Sequence, residues 1–350
     1  MAELRRDPIV GRMVIIAPER SARPQEFVDR PHAERSASCP FCAGSEAETP
    51  HEIAALRDSG TSADGPGWRV RVIPNKYPAL EASRATSVAS AGATGVSPVS
   101  GPLAFQAEPA VGVHEVIIET PEHLATTGSL TEAQLTDVLK VYRDRLRVHL
   151  SDPRLRYVQI FKNVGEAAGA SIEHLHSQLM GLEFVPAAIV EELAGCRDHQ
   201  ARTGRCVFCE LVEQELAAGA RIVVDSDEVV ALCPYASRFP YEVWLMPRRH
   251  TARFEDSDDR LLGGVARGLL GVVRGIEKLL ASSGVASVGY NYVLHSAPFD
   301  SSDPCHYHWH IEVLPRAVKQ AGFEWGTGVQ INPVAPEEAA AALRRLLAES

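Results

Sequence analysis

A spaced set of cysteines and histidines occurs twice in this chain, in the same order. C-P-F-C stands at 39–42 and C-V-F-C at 206–209, and each pair is followed by strands, a helix and a histidine run. The two runs are H-L-H at 174–176 and H-Y-H-W-H at 306–310. The repeat has a period of roughly 130 residues, far longer than that of a solenoid. It therefore predicts two similarly folded α+β units in one chain.

The chain has 350 residues, of which 45% are apolar, so it can bury a substantial core in two domains of common size. We place the first unit at 1–195 and the second at 196–350. Within the first unit, residues 81–109 are rich in Ala, Ser, Gly and Pro and show little periodicity. This composition indicates a flexible surface insertion.

Each unit is predicted to contain one long amphipathic helix. In the first unit, Ser129 and Glu132 have the spacing of a capping box. Apolar residues then recur with the helical period, at Leu135, Val138, Leu139, Tyr142 and Leu146. The second unit repeats the pattern at Leu261, Leu262, Val265, Leu269, Val272, Val273 and Ile276.

Charge and composition exclude several classes of partner. The formal net charge is −10, and such a surface repels nucleic-acid phosphates and offers nothing to an anionic membrane. The N-terminus, M-A-E-L-R-R-D-P-I-V, lacks the apolar segment of a signal peptide. No apolar run approaches the ~18 residues of a membrane span. We therefore expect a cytoplasmic protein without membrane or nucleic-acid partners.

The cysteine pairs predict metal sites. The chain has seven cysteines, and an odd number in a cytosolic protein does not indicate a disulfide framework. Two thiolates in a tight turn bind Zn²⁺ when two further donors complete a tetrahedron, and a site with four protein ligands has a structural role. A pair of buried thiols or a redox motif is the alternative. The predicted ligands are Cys39, Cys42, His123 and His174 in the first unit, and Cys206, Cys209, His250 and His306 in the second.

The residues after His174 predict a nucleophile. Side chains two apart lie on the same face of a strand, so His176 and Gln178 share a face with His174. If metal holds His174, His176 remains available, and a neutral imidazole attacks phosphorus readily. The Gln178 amide can donate to phosphoryl oxygens.

A small-residue loop precedes this run, G-E-A-A-G-A-S at 165–171. Its backbone N–H groups, together with Ser171 and Asn163, can hold a phosphate. In the second unit we take His308 as the counterpart of His176, with His310 in the place of Gln178. No such loop precedes it, so we expect that unit to be mainly structural.

These segments resemble the galactose-1-phosphate uridylyltransferase family, the transferase branch of the histidine triad superfamily. The resemblance lies in F-K-N-V-G-E-A-A-G-A-S-I-E-H-L-H-S-Q, D-P-I-V-G-R-M-V-I-I-A-P-E-R-S-A-R-P, C-P-F-C, E-T-P-E-H, H-S-A-P-F and G-F-E-W-G-T-G. It implies two histidine-triad-like domains, each an antiparallel sheet with packed helices, and a homodimer. It also implies the first zinc site.

The resemblance implies roles for further residues. His176 matches the nucleophile, Gln178 the amide that steadies the nucleotidyl group, and Asn75 a contact to the nucleoside. The remaining matches are phosphate contacts at Asn163 and Ser171, nucleotide and phosphate contacts at Arg20 and Arg23, and hexose contacts at Phe323 and Glu324, often across a dimer interface.

Some features differ from the better-known bacterial members. Those have H-P-H where this chain has Leu175 between its histidines, and they lack a second C-x-x-C. The second pair and the tail G-T-G-V-Q-I-N-P resemble a sister branch that includes ADP-glucose phosphorylases.

The expected activity is ping-pong transfer of uridylyl from UDP-glucose to galactose 1-phosphate. Three alternatives remain open. The first is the adenylyl-transferring sister activity, and the second is a histidine-triad nucleotide hydrolase in which His308 is essential. The third is a zinc-ribbon protein that binds nucleic acid, against which the acidic charge argues.

Overall fold

The computed structural model describes residues 3–6, 13–16, 39–80, 111–282, 288–299, 301 and 304–349. Arg20, Arg23 and the predicted insertion at 81–109 lie outside the described residues.

The described residues form two sheets. In chain order the strands are β1 (Glu3–Arg6), β2 (Met13–Ile16), β3 (Ala54–Arg57), β4 (Trp68–Pro74), β5 (Gly112–Ile118), β6 (Tyr157–Val164), β7 (His176–Leu182), β8 (Ile222–Asp225), β9 (Val229–Leu232), β10 (Val243–Pro247), β11 (Tyr290–His295), β12 (His310–Pro315) and β13 (Gln330–Asn332). The small sheet has the order β1-β2-β13. The large one has ten strands in the order β3-β4-β5-β7-β6-β11-β12-β10-β9-β8, and all its neighbours pair antiparallel.

The order of the large sheet is symmetric about its centre. Read inward from one edge, the order is β3-β4-β5-β7-β6, and from the other edge it is β8-β9-β10-β12-β11. The two halves meet where β6 and β11 pair, with Phe161 opposite Val293. The predicted duplication is therefore confirmed as an α+β fold of two histidine-triad-like units that share one sheet.

Six helices accompany these sheets in the described part of the chain: α1 (Glu132–Leu150), α2 (Ala187–Thr203), α3 (Val207–Ala218), α4 (Asp259–Ser282), α5 (Gly322–Thr327) and α6 (Pro336–Ala348). The predicted boundary between the units, at 195/196, falls inside α2, and the division at that residue stays a prediction. Among these helices, none combines the length and the apolar character that crossing a bilayer requires.

The start of α1 differs slightly from the prediction. Thr131 is the N-cap, and it forms the capping box with Gln134 rather than Ser129 with Glu132. Ser129 belongs to a preceding turn, where its hydroxyl lies 3.0 Å from that of Thr126. The predicted apolar stripe is confirmed, since all five residues are buried.

The two long helices cover one face of the sheet. The core between α1, α4 and the strands contains Leu139 and Tyr142 from one helix and Leu269 and Val273 from the other. A fully buried Leu, Val or Phe side chain contributes about 1.5–3 kcal/mol. This layer therefore holds the two halves of the sheet together from one side.

The opposite face is covered unequally in the two units. In the second unit α2 and α3 pack on it, with Phe208 against Trp244 and Met246. In the first unit the described cover is smaller and centres on Phe41, which packs near Val116. The face of β5, β6 and β7 beyond this cover is only partly buried. Any described site that admits a substrate to a histidine run must therefore lie in the first unit.

Candidate active site and metal groups

The first predicted metal group is assembled in the fold. The donor atoms of Cys39, Cys42, His123 and His174 all lie within 4.8 Å of one another. Nδ1 of His174 is 3.6 Å from each sulfur atom, and Nδ1 of His123 is 3.6 Å from that of Cys42. All four predicted residues are thus brought together from a turn, the loop after β5 and the segment before β7.

The protonation of this group suits a cation. Nε2 of His174 donates to the carbonyl oxygen of Thr120 at 2.8 Å, which leaves the lone pair of Nδ1 facing the sulfur atoms. Burial lowers the pKa of His174 to about 4, so the ring is neutral. Burial and the adjacent Cys39 raise the pKa of Cys42. Two thiolates side by side need a positive charge between them, and the residues fit a metal ion.

The second predicted metal group also assembles in the fold, but one of its four ligands differs from the prediction. Its members are Cys206, Cys209, His250 and His308, whose donor atoms also lie within 4.8 Å of one another. The sulfur of Cys209 is 3.4 Å from Nδ1 of His250 and 3.6 Å from Nδ1 of His308. The hydrogen bond from Cys209 lowers the pKa of Cys206 to about 3, so the two thiols share one proton. The predicted ligand His306 is not in the group, and that assignment is wrong.

The strand boundaries explain the correction. β7 begins at His176 and β12 begins at His310, and the metal-group histidine stands two residues earlier in each case. His310 therefore corresponds to His176, and Glu312 to Gln178. Taking His308 as the counterpart of His176 was wrong for the same reason. The run H-Y-H-W-H contains three alternating histidines, and aligning it on the first one shifts the comparison by two residues.

His176 stands at the start of β7 with one ring nitrogen already bonded. Its Nδ1 is 2.8 Å from the carbonyl oxygen of His174, so Nδ1 carries the proton and Nε2 keeps its lone pair. The side chain is 8% exposed, and the Phe41 ring lies edge-on with its centroid 5.3 Å away. Burial lowers the pKa of His176, which keeps the ring neutral. This arrangement leaves a basic Nε2 beside a partly open face.

Two further predicted residues lie on this face. The Gln178 carbonyl oxygen is 2.8 Å from Nε2 of His114 and 3.5 Å from Nδ2 of Asn75. Asn75 follows β4, and its amide oxygen accepts a hydrogen bond from the N–H of Tyr77 at 2.8 Å. His114 was not predicted as a site residue.

The small-residue loop after β6 is held by the second unit. Gly165 has φ +78°, and a Cβ there would meet the carbonyl oxygen of Val288 at 2.1 Å, so the position requires glycine. Asn291 on β11 donates to Oδ1 of Asn163 at 2.7 Å and to the carbonyl of Ala168 at 2.8 Å. Ser171 is exposed at the end of this loop.

An arginine from the second unit completes this contact. Nε of Arg316 donates to Oδ1 of Asn291 at 2.5 Å. Through Asn291, Arg316 is thereby connected to Asn163 and to the loop carbonyl of Ala168. The sequence did not indicate Asn291 or Arg316, because Asn291 meets Asn163 only through the pairing of β6 with β11, and Arg316 contacts the loop only through Asn291.

Phe323 and Glu324 lie apart from this cluster, on α5. Phe323 is 47% exposed, and the Glu324 carboxylate accepts from the N–H of Ala321 at 3.0 Å at the helix start. No hydrogen bond or ring contact within the described residues joins either of them to His176.

The corresponding position of the second unit is closed. His310 is 1% exposed, and the Phe208 ring lies over it at 4.8 Å between centroids. Glu192 on α2 lies 3.7 Å from Nε2 of His310, accepts from Tyr307 at 2.6 Å and is 3.0 Å from Nδ1 of His295. The donors of Glu192, His295 and His310 form a further group that could hold a metal ion. A substrate cannot reach His310 past these side chains, so a hydrolase site at this run is not supported.

Comparisons with known proteins agree with this arrangement. The family model for the galactose-1-phosphate uridyl transferase N-terminal domain matches residues 1–186, and a domain of unknown function (DUF4921) matches 112–349. ADP-glucose phosphorylase of Arabidopsis thaliana is 34% identical over 98% of this chain and 93% of its own. Galactose-1-phosphate uridylyltransferase of Thermotoga maritima is 29% identical over 98% of both chains.

Two solved structures show the same architecture. The ADP-glucose phosphorylase from Arabidopsis thaliana with bound ADP-glucose superposes with a TM-score of 0.80 at 32% identity, over 98% of each chain. A uridylyltransferase superposes with a TM-score of 0.72 at 26% identity, over 100% of this chain and 99% of its own.

Fold and site together define a nucleotidyltransferase built from two histidine-triad-like units, of which one carries a histidine beside a partly open sheet face. The family match covers more than half of the chain, and the full-length relatives extend it to almost all of it. The chain belongs to the galactose-1-phosphate uridylyltransferase family.

Proposed function

We propose that this enzyme transfers a nucleotidyl group from a nucleoside diphosphate glucose through a covalent intermediate on Nε2 of His176. The observation that carries the proposal is the hydrogen bond between Nδ1 of His176 and the carbonyl of His174, which leaves the lone pair on Nε2. Nε2 attacks the α-phosphorus, an N–P bond forms, and the P–O bond to glucose 1-phosphate breaks. An oxygen of the acceptor phosphate then attacks the same phosphorus and releases His176.

The surrounding residues have separate tasks in this scheme. The neutral ring is the nucleophile, since burial keeps the pKa of His176 low. The amide N–H groups of Gln178 donate to the phosphoryl oxygens as negative charge builds there. Asn163, Ser171 and the loop amides hold the second phosphate. The predicted contacts of Arg20 and Arg23 to nucleotide and phosphates, of Asn75 to the nucleoside, and of Phe323 and Glu324 to the hexose belong to the same proposal.

Both Cys/His groups fit Zn²⁺, which prefers four tetrahedral sulfur and nitrogen ligands in structural sites. In the first unit the ion would tie the turn at 39–42 to His123 and to the segment that ends in His176. Its role is to fix that segment, and no chemical step requires it. We propose a homodimer, which would cover the exposed helix α5, where Trp325 is 76% exposed. We also propose a cytoplasmic location, on the basis of the sequence.

The first candidate reaction is uridylyl transfer from UDP-glucose to galactose 1-phosphate. It is the activity named by the family model and by the Thermotoga relative. The leaving group and the acceptor are both hexose 1-phosphates, so one acceptor pocket serves both half-reactions.

The second candidate is adenylyl transfer from ADP-glucose to phosphate. One observation favours it specifically: the Arabidopsis ADP-glucose phosphorylase is more similar to this chain, in both identity and TM-score, than the uridylyltransferases named above. The second Cys/His group adds support, because a second C-x-x-C is a feature shared with that branch.

The test is the intact mass of the purified protein after separate incubation with UDP-glucose and ADP-glucose at mildly alkaline pH, where a phosphoramidate survives. A uridylyl gain that galactose 1-phosphate removes supports the first candidate. An adenylyl gain that phosphate removes supports the second. His176→Ala is the control, and it should show no gain with either donor. A gain that persists in His176→Ala, or no gain in the wild type with either donor, contradicts the covalent proposal.

A further inference from the structure

His114 on β5 carries its ring proton on a defined nitrogen. The backbone N–H of Ala79 points at Nδ1 at 3.0 Å, so Nδ1 is the acceptor and holds no proton. A neutral imidazole carries one proton, which must then lie on Nε2. Nε2 is 2.8 Å from the carbonyl oxygen of Gln178, and it donates there.

Asn75 reinforces this orientation. Its amide oxygen is fixed by the N–H of Tyr77 at 2.8 Å, which turns Nδ2 toward His114 and Gln178. Nδ2 is 3.1 Å from Nε2 of His114, but both atoms are donors, so the acceptor available to Nδ2 is the Gln178 oxygen at 3.5 Å. Two donors therefore converge on one oxygen. A flipped Gln178 amide would set its NH₂ group against both of them.

The strand register shows where the Gln178 NH₂ group is left. On β5 and β7, Ile118 lies opposite His176, Val116 opposite Gln178, and His114 opposite Met180. His114 is thus on the side of Gln178 away from His176. With its oxygen held on that side, Gln178 presents its NH₂ group toward the end of the strand where His176 stands. No described residue accepts a hydrogen bond from that group.

We propose that His114 is a positioning residue that acts through Gln178. By holding the amide oxygen, His114 keeps the NH₂ group of Gln178 directed toward the phosphoryl oxygens. These oxygens gain negative charge while Nε2 of His176 attacks the phosphorus. The inference rests on the proposed covalent function and deepens it. It gives His114, the first residue of the sequence H-E-V-I-I, a task in the reaction in addition to its place in β5.

A purely structural role for His114 makes a different prediction. In that case its task would be to hold the chain at Ala79, through Nδ1 alone. Two substitutions separate the roles, because the side chains keep different atoms. His114→Gln can place an NH₂ donor near the Nε2 position, whereas His114→Asn keeps an acceptor near Nδ1 and lacks the donor.

The experiment measures the rate at which the nucleotidylated protein forms, by quenched-flow intact mass, over a range of donor concentrations. We expect His114→Asn to lower the maximal rate by about tenfold with little change in the half-saturating concentration. Removing an aligned donor outright costs about 100- to 1000-fold, and His114→Asn leaves the Gln178 donor in place without holding it. His114→Gln should recover most of the rate. In a Gln178→Ala background, His114→Asn should change the rate by less than about twofold, since residues that act as a unit are not additive.

The outcomes separate the inference from the function on which it rests. If wild-type protein forms an adduct and His114→Asn matches it, the inference is overturned and the covalent function stands. The inference is also overturned if His114→Asn lowers the maximal rate equally in the wild-type and Gln178→Ala backgrounds. A faster rate in His114→Asn than in His114→Gln overturns it as well. If the wild type forms no adduct with either donor, the proposed function and the inference fail together.

Discussion

Nδ1 of His176 lies 2.8 Å from the carbonyl oxygen of His174, and the same contact recurs at 3.1 Å between His310 and His308. The two units therefore share this local backbone geometry, but the elements packed around it differ. In the first unit the proposed nucleophile, His176, stands beside a partly open face. In the second, α2 and α3 bury the corresponding ring.

Substitution of the two corresponding histidines should have unequal effects. His176→Ala should lower turnover by at least roughly a thousandfold, because the covalent route is lost. His310→Gln should leave the rate of adduct formation within about tenfold of the wild type, since its ring faces Glu192 and Phe208 rather than substrate. The measurement is release of glucose 1-phosphate from each nucleotide sugar. Full loss in His310→Gln, with the variant still folded by circular dichroism, would contradict this assignment.

Metal content should distinguish His308 from His306. We expect about two zinc ions per wild-type chain, from the two groups of four donors. His308→Ala should lose about one ion, and His306→Ala should keep both, because His308 and not His306 belongs to the group of four donors. Elemental analysis of protein purified without added metal is the measurement. Loss of zinc in His306→Ala but not in His308→Ala would restore the assignment made from sequence.

A buried polar network behind the nucleophile strand should be costly to break. Lys162 on β6 pairs with Glu119 after β5, both side chains are fully buried, and Ser177 and Tyr142 also bond to that carboxylate. Lys162→Met should lower the free energy of unfolding by about 3–5 kcal/mol, because it leaves a buried charge without its partner.

The matched control for this network removes both charges. Adding Glu119→Gln to Lys162→Met should recover most of the loss, as the remaining side chains can stay hydrogen-bonded. Urea unfolding followed by fluorescence measures each variant. A double variant no more stable than Lys162→Met alone would show that the pair is not the source of the effect.

A second buried carboxylate should make stability depend on pH. Burial tends to raise the pKa of Glu115, but hydrogen bonds from His149 and Arg145 outweigh it and hold the pKa below the ordinary 4.5. A lowered folded-state pKa contributes stability above the unfolded value and loses it as pH falls through the folded value. Glu115→Gln should therefore cost about 3 kcal/mol at neutral pH.

This cost should shrink as the pH falls below the ordinary 4.5 and through the lowered folded-state pKa of Glu115, because the wild-type carboxylate then becomes protonated as well. Calorimetric melting of both proteins from pH 3 to 8 follows the difference. A difference that stays constant across this range would show that the charge of Glu115 is not what stabilises the α1 contact.

The sequence predicted the duplication, the first Cys/His group and the strand that carries both His176 and Gln178. Each of these depends on local spacing: C-x-x-C in one turn, alternation along one strand, and a helical stripe such as Leu135 to Leu146. Local spacing survives folding almost unchanged, so it can be interpreted before the fold is known.

The residues that were missed depend on pairing between strands. His114 meets Gln178 only because β5 and β7 are neighbours, and Asn291 reaches Asn163 only because β6 and β11 join the two units. His306 was chosen over His308 because three alternating histidines fit two registers equally well. The structure shows which of the two alignments is correct, because β12 begins at His310.

The most direct test of the central claim is peptide mapping of the protein after reaction with the donor that labels it, at mildly alkaline pH. The covalent account predicts a nucleotidyl group on the peptide that contains His176, at its imidazole, and discharge of that label by the matching acceptor phosphate. A label on a peptide that contains His308 or His310, or rapid turnover of the donor without any labelled histidine, would contradict it.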